Sequence, residues 1–117
     1  MNRIVLKSKI HSATLTGTEL AYEGSIAVDQ DLLEKADILP NEQVHVLNLN
    51  NGSRLITYTI AAPRSSGAVV LNGPAARFGM AGDRIIILSY WELSDKEAAK
   101  RQPKVIFVNQ DNRLLEK

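Results

Sequence analysis

A mainly β fold, a small barrel with brief helices, is what this sequence predicts. Three observations carry that expectation. Short apolar stretches of strand length recur along the chain between turn residues, and helical signals are confined to brief segments. Asn50-Asn51-Gly52 separates two of these stretches, and Asn-Gly is the strongest short hairpin signal because both positions tolerate positive φ. Ile85-Ile86-Ile87-Leu88 is a nearly continuous apolar run, the pattern of a centrally buried strand.

Taken in order, residues 3–16 read as a strand. The period of two puts Arg3, Val5, Lys7, Lys9 and His11 on one face and Ile4, Leu6 and Ile10 on the other. Thr16-Gly17-Thr18 reads as a turn, and Glu19 to Tyr22 as a short strand leading into Gly24-Ser25. Ile26-Ala27-Val28 continues extended. Asp29 then suits a helix N-cap, with Asp31 in the acidic first turn and Leu32, Leu33 and Ala36 as the apolar stripe. Pro40 biases Leu39 away from helix and ends that element. Val44 to Leu49 and Arg54 to Ile60 form the hairpin. On its returning strand Arg54, Ile56 and Tyr58 share one face and Thr57 takes the other. Pro63 to Gly67 is a loop and Val69 to Leu71 a strand. Asn72 or Gly73 caps a helical turn with Pro74 at its first position. Gly79 to Asp83 turns into the strand Arg84 to Tyr90. Ser94-Asp95-Lys96-Glu97 is a capping box that opens a helix to about Lys100. Val105 to Val108 is the last strand, and residues 109–117 read as a polar, mobile tail.

Composition narrows the function classes. With 117 residues the chain is expected to be one domain, 1–117, large enough for a core without disulfide staples. It has no Cys, which excludes disulfides, thiol catalysis and Cys-ligated zinc. The two histidines, His11 and His45, would need several carboxylates beside them to hold a metal, so no metal is expected. A net charge of +1 with scattered basic residues leaves no electrostatic footprint for nucleic acid. Met1 to Ile10 carries charges and does not read as a signal peptide. No apolar run is long enough for a membrane helix, so no membrane partner is expected. Ser25, His11 and Asp29 could be composed into a hydrolase triad on paper, but no nucleophile elbow surrounds the serine.

Four stretches remain. They are Lys9-Ile10-His11, Tyr22-Glu23-Gly24-Ser25, Arg54-Leu55-Ile56-Thr57-Tyr58 after the Asn51-Gly52 turn, and Asn72-Gly73-Pro74-Ala75-Ala76-Arg77. Singly each has an ordinary reading: a solvated strand face, a turn, a half-buried strand, a cap. In this order and at these separations the set resembles the L-aspartate alpha-decarboxylases, small pyruvoyl enzymes that make beta-alanine for pantothenate and coenzyme A. The likeness runs from about Lys9 to Asp83 and more weakly through Pro103.

The resemblance implies a six-stranded double-psi β-barrel, a cytoplasmic homotetramer and L-aspartate as substrate. It implies self-cleavage between Gly24 and Ser25, with or without a maturation factor, giving chains 1–24 and 25–117. Ser25 would become a covalent pyruvoyl group, the Schiff-base-forming cofactor, with neither metal nor pyridoxal phosphate. That chemistry suits the residues. Decarboxylation of an α-amino acid needs a carbonyl electron sink that no side chain offers. A serine beside Gly24, whose backbone allows close approach, can attack the preceding carbonyl. By the same resemblance Thr57 is the donor to the oxyanion of that step, Tyr58 the proton donor to the α carbon, and Lys9 and Arg54 the carboxylate ligands. Asn72, Gly73, Pro74 and Ala75 form the loop that holds pyruvoyl and substrate, and Thr57 also faces the substrate. His11 and Tyr22 lie nearby. Position 74 is a departure, since proline stands where alanine is expected in many members and offers no N–H. The competing reading is a non-catalytic small-barrel module, which predicts an intact chain without carbonyl reactivity.

Overall fold

The computed structural model describes residues 1–116. Eight strands form one sheet: β1 (Asn2–Thr14), β2 (Gly17–Glu19), β3 (Ser25–Asp29), β4 (Gln43–Asn48), β5 (Arg54–Ala62), β6 (Val69–Asn72), β7 (Arg84–Ser94) and β8 (Lys104–Phe107). Their order is β2-β6-β3-β5-β4-β7-β1-β8. β2, at one end of that order, and β1, next to the other end, are joined by the chain itself. β1 lies against β7, β2 lies parallel to β6, and only Leu15 and Thr16 separate them. Thr16 N–H donates to the Val69 carbonyl (2.8 Å) across this junction, and Leu15 N–H to the Asp83 carbonyl (2.8 Å). With β1 and β2 counted as one bent strand, six strands wrap around, and β8 adds a parallel strand along β1. The expected six-stranded barrel is met in this way. Closure removes the free edges that a sheet of short strands would otherwise expose.

The interior is aliphatic. Ile10, Leu15, Ile26, Val28, Val44, Val46, Val69, Leu71, Ile85 and Ile87 are buried together, alternating along their strands with residues that face out. The helix α1 (Gln30–Ala36) closes one side with Leu32, Leu33 and Ala36. Its cap is Asp29, which accepts from the Asp31 N–H, and it ends at Asp37 in the left-handed conformation. A second helix, α2 (Asp95–Lys100), starts at Ser94 with the expected capping box, Ser94 Oγ accepting from the Glu97 N–H.

Three expectations need correction. The turn placed at Thr16–Thr18 and the strand at Glu19–Tyr22 are offset, since Gly17–Glu19 is strand and the chain turns just after it. Here β2 is held by pairing with distant β6, which local pattern does not reveal. The uniform alternation over residues 3–16 is broken by a bulge between Leu6 and Ser8. Lys7 turns inward there, donates to the Asp37 carbonyl (2.6 Å) and pairs with Glu42 (2.7 Å), while Ile4 is left 73% exposed. Beyond the bulge Lys9 and His11 do share a face. The described part of the tail is also anchored. Asn112 is buried, donates to the Thr14 and Gly67 carbonyls (both 2.8 Å) and accepts from the Thr14 N–H (2.7 Å). Its polarity satisfies buried backbone groups, which a reading of polarity as exposure misses. Lys117 lies outside the described residues.

Candidate active site

Ser25 opens β3 and is 0% exposed. On one side it lies opposite Asn72 at the end of antiparallel β6. On the other, the parallel ladder with β5 begins at Ile26 and Thr59, so Ser25 and Tyr58 each stand one residue before its first pair. The start of β3, the end of β6 and the middle of β5 thus meet at the serine. Asn72 Nδ2 donates to Ser25 Oγ at 3.0 Å within the buried interior. This bond explains a local oddity. Asn72 occupies the N-cap position of the 3-10 helix Gly73–Phe78 yet makes no side-chain cap bond, because its amide is turned to the serine.

Gly73 sits at φ +62° directly against the segment before the serine. A Cβ there would stand 2.5 Å from the Tyr22 carbonyl oxygen, 2.8 Å from Gly24 N and 2.9 Å from the Glu23 carbonyl carbon. Only glycine accommodates both the backbone angle and the approach. A Cβ at Gly24 would meet Pro74 Cδ at 3.5 Å, an ordinary contact. Pro74 is therefore a wall of the site in a helix first turn, where its missing N–H costs nothing.

Beside Gly24 a cavity of ≈ 530 Å³ opens to the surface. Arg54, Thr57, Tyr58, Pro74 and Ala75 line it, together with Leu55, Ile56 and Phe78. Five expected site residues and Gly24 therefore meet in one cavity. Tyr58 is 37% exposed and Thr57 partly buried, on opposite faces of β5 as expected. Arg54 NH1 lies 3.0 Å from His45 Nδ1, and among the described residues no carboxylate pairs with its charge. Tyr22 projects an exposed side chain while its carbonyl packs under Gly73.

Lys9 and His11 are not in this wall. They stand on β1 between β7 and β8, with Lys9 opposite Leu88 and Val105 and His11 opposite Phe107. β7 and β4 separate β1 from β5, so the single chain does not bring the two residues to the cavity. The His11 ring leans on Phe107 (5.4 Å between centroids) and its buried Nδ1 has no partner among the described residues.

Leu55, Ile56, Phe78 and His45 were not singled out by the sequence. The face shared by Arg54, Ile56 and Tyr58 did signal Ile56. Phe78 carried no local signal. Its carbonyl accepts from Asn48 Nδ2 (3.1 Å), Asn51 Nδ2 (3.1 Å) and Ser53 Oγ (3.3 Å), which tie the end of the 3-10 helix to the β4–β5 turn. A second depression of ≈ 500 Å³ near Val105 and Leu114 lies away from Ser25 and contains none of these groups. No cluster of three or more His, Asp or Glu side chains able to hold a metal occurs among the described residues.

The arrangement joins a buried serine, a tightly packed segment before it and an exposed pocket with a cation and a phenol. Over residues 1–115 the chain matches the family described as aspartate decarboxylase. The chain belongs to the aspartate decarboxylase family. This family has a double-psi β-barrel fold, and the barrel described above is compatible with it. An aspartate 1-decarboxylase of Acaryochloris marina is 55% identical over 99% of this chain and 88% of its own length. Aspartate 1-decarboxylase 2 of Gloeobacter violaceus is 56% identical over 98% of this chain and 92% of its own length. The aspartate 1-decarboxylase of Thermoanaerobacter pseudethanolicus is 53% identical, covering 97% of both chains. The match of this aspartate decarboxylase family member extends past Asp83 and Pro103.

Proposed function

We propose that this chain decarboxylates L-aspartate to beta-alanine and carbon dioxide, for pantothenate synthesis, after cutting itself between Gly24 and Ser25. The observation that carries the reading is the fully buried Ser25, held by Asn72 at the rim of a cavity lined by Arg54 and Tyr58. A serine sequestered from water favours attack on its own backbone over exchange with solvent.

In the proposed maturation Ser25 Oγ attacks the Gly24 carbonyl. The Gly24–Ser25 C–N bond breaks as the ester C–O bond forms. The oxyanion on the way takes a hydrogen bond from Thr57, a contribution worth about two to three orders of magnitude in rate. Loss of the Ser25 α proton and cleavage of its Cβ–O bond then release Gly24 as a carboxylate. Water replaces the nitrogen, ammonia leaves, and residue 25 is left as a pyruvoyl group. Asn72 orients the oxygen before the attack, and Gly73 keeps the segment 22–24 pressed against it.

The residues fit that group, since Asn72 pairs with and bonds buried position 25, and Gly73 packs on the residues just before it. Once formed, the pyruvoyl supplies the carbonyl that accepts the electron pair released with carbon dioxide. The other groups act on the substrate. Arg54 offers a planar fork to a carboxylate, and among the described residues no carboxylate occupies it. Holding the side-chain carboxylate aims the other for departure. The Tyr58 phenol returns a proton to the α carbon. Lys9 and His11 join the site through assembly: in a homotetramer, β1 of one copy would face the cavity of another.

The test is an intact-protein mass spectrum before and after warming. Two fragments, residues 1–24 and a remainder starting with pyruvoyl, are expected, and Ser25→Ala should stay one inactive chain. An active Ser25→Ala protein would refute the reading. A parent chain that stays whole even in cell extract, where a maturation factor would be present, favours the non-catalytic barrel.

A further inference from the structure

Arg54 is the cation of the cavity, yet it is a long side chain on an exposed strand face with no carboxylate to hold it among the described residues. A guanidinium that must be ordered by the substrate itself binds more weakly, because its rotamers are frozen in the binding step. The structure supplies a holder. His45 lies on β4 opposite Ile56, two residues from Leu47, the partner of Arg54. His45 and Arg54 are therefore diagonal neighbours on one face of the hairpin, within reach of each other's side chains.

The contact has a direction. Arginine only donates, so a hydrogen bond across the 3.0 Å from NH1 to His45 Nδ1 takes Nδ1 as its acceptor. The ring is itself fixed, edge-on to Tyr90 with centroids 4.9 Å apart and planes at 64°. One donor of the fork is thus anchored on a packed ring, which sets the plane of the guanidinium while its remaining donors have no partner among the described residues.

We propose that His45 is a positioning residue that pre-orders Arg54 for a substrate carboxylate, an inference resting on the role of Arg54 proposed above. His45 touches neither the substrate nor the reacting atoms. It acts on affinity and leaves self-cleavage unaffected, because it pairs with Ile56 and Leu88 while Ser25, Asn72 and Gly73 meet at the start of β3.

The test uses the matured protein and L-aspartate. His45→Asn places an acceptor oxygen near the position of Nδ1, His45→Gln places it near Nε2, and His45→Phe keeps a ring for Tyr90 without an acceptor. A hydrogen bond from a charged donor is lost in the last two, so KM for aspartate should rise roughly 5- to 20-fold with kcat within about two-fold. His45→Asn should restore KM to within about two-fold, and all three should cleave at Gly24–Ser25 like the parent. In Arg54→Ala the His45→Phe change should add nothing further. A raised KM in Arg54→Ala with an unchanged KM in both His45→Phe and His45→Gln overturns the positioning role and leaves Arg54 as the ligand. An unchanged KM in Arg54→Ala removes the proposed role of Arg54 and this inference with it. Equal KM increases in His45→Asn and His45→Phe also overturn it, since packing alone would then account for the effect.

Discussion

Gly73→Ala tests whether the packing of residues 22–24, and not Ser25 alone, governs the proposed maturation. The added methyl has no free space. Its Cβ would fall 2.5, 2.8 and 2.9 Å from three backbone atoms of residues 22–24, none of which can swing away as a side-chain end could. At φ +62° an L side chain also carries a left-handed penalty of about 1–2 kcal/mol. Overpacking in a buried position adds roughly 1–3 kcal/mol. The sum, about 2–5 kcal/mol, is a large part of the 5–15 kcal/mol that typically holds a domain. A loss of ~3 kcal/mol lowers Tm by roughly 10–20 °C at this chain length. Relief of the overlap must move either the 3-10 helix or the segment ending at Gly24, and either shift separates Ser25 from Asn72. Calorimetry should show the lower Tm, and mass spectrometry after warming should show an uncut or slowly cut chain. Gly17→Ala is the control, because nothing lies within 4 Å of a Cβ there. A Gly73→Ala protein that melts within about 2 °C of the parent and cuts at the parent's rate would show that the 22–24 backbone yields freely, and the packing account would fall.

Two further outcomes are expected. Tyr58→Phe should mature normally but lose about two or more orders of magnitude in kcat, as loss of a positioned proton donor does; parent-like turnover of aspartate would remove Tyr58 from that role. At the opposite end of the barrel, hydrogen bonds from Arg64 and then Gln30 hold the Glu34 carboxyl down to about 2 from 4.5. A depressed folded-state value stabilises the fold above the unfolded one, so this contribution is complete above about pH 5 and fades as pH falls toward 2. The groups are exposed and the effect is small. The Tm gap between parent and Arg64→Ala should narrow on acidification over that window, and a gap that is constant from neutral pH down to about 2.5 would exclude the pairing as its source.

Much of the fold was legible because it is written in local terms. Asp29 and Ser94 cap helices with their own side chains, the Asn-Gly turn closes the β4–β5 hairpin, and the apolar run at 85–88 enters the core. What escaped depends on distant partners. β2 exists because β6 lies beside it, the bulge at Lys7 exists because Glu42 and the Asp37 carbonyl receive its ammonium, and Asn112 is buried because Thr14 and Gly67 need partners. No window of ten residues contains those pairs. The candidate site divides in the same way. Arg54, Thr57 and Tyr58 fall within five consecutive residues and were visible as a motif, whereas Phe78 reaches their cavity only through the closed barrel. Lys9 was visible as a motif too, but the fold of one chain keeps it away from that cavity.

The two proposed chemistries share the start of β3, and the groups proposed for each stand on different sides of it. Cutting needs Ser25 oriented, dry and pressed on its own preceding carbonyl. The groups that arrange this, Asn72 and Gly73, are buried and reach the serine from β6 and the 3-10 helix. Turnover needs an opening for aspartate, and Arg54 and Tyr58 sit on the exposed face of β5. Changes on the buried side should therefore stop maturation before any substrate is met, and changes on the exposed side should leave a cut but weakened enzyme. Thr57 breaks this division. It is on the inward side of β5 and lines the open cavity as well, so a single hydroxyl there can serve the oxyanion of cutting and later contact the substrate. Thr57 substitutions are for that reason the place where the two defects should occur together.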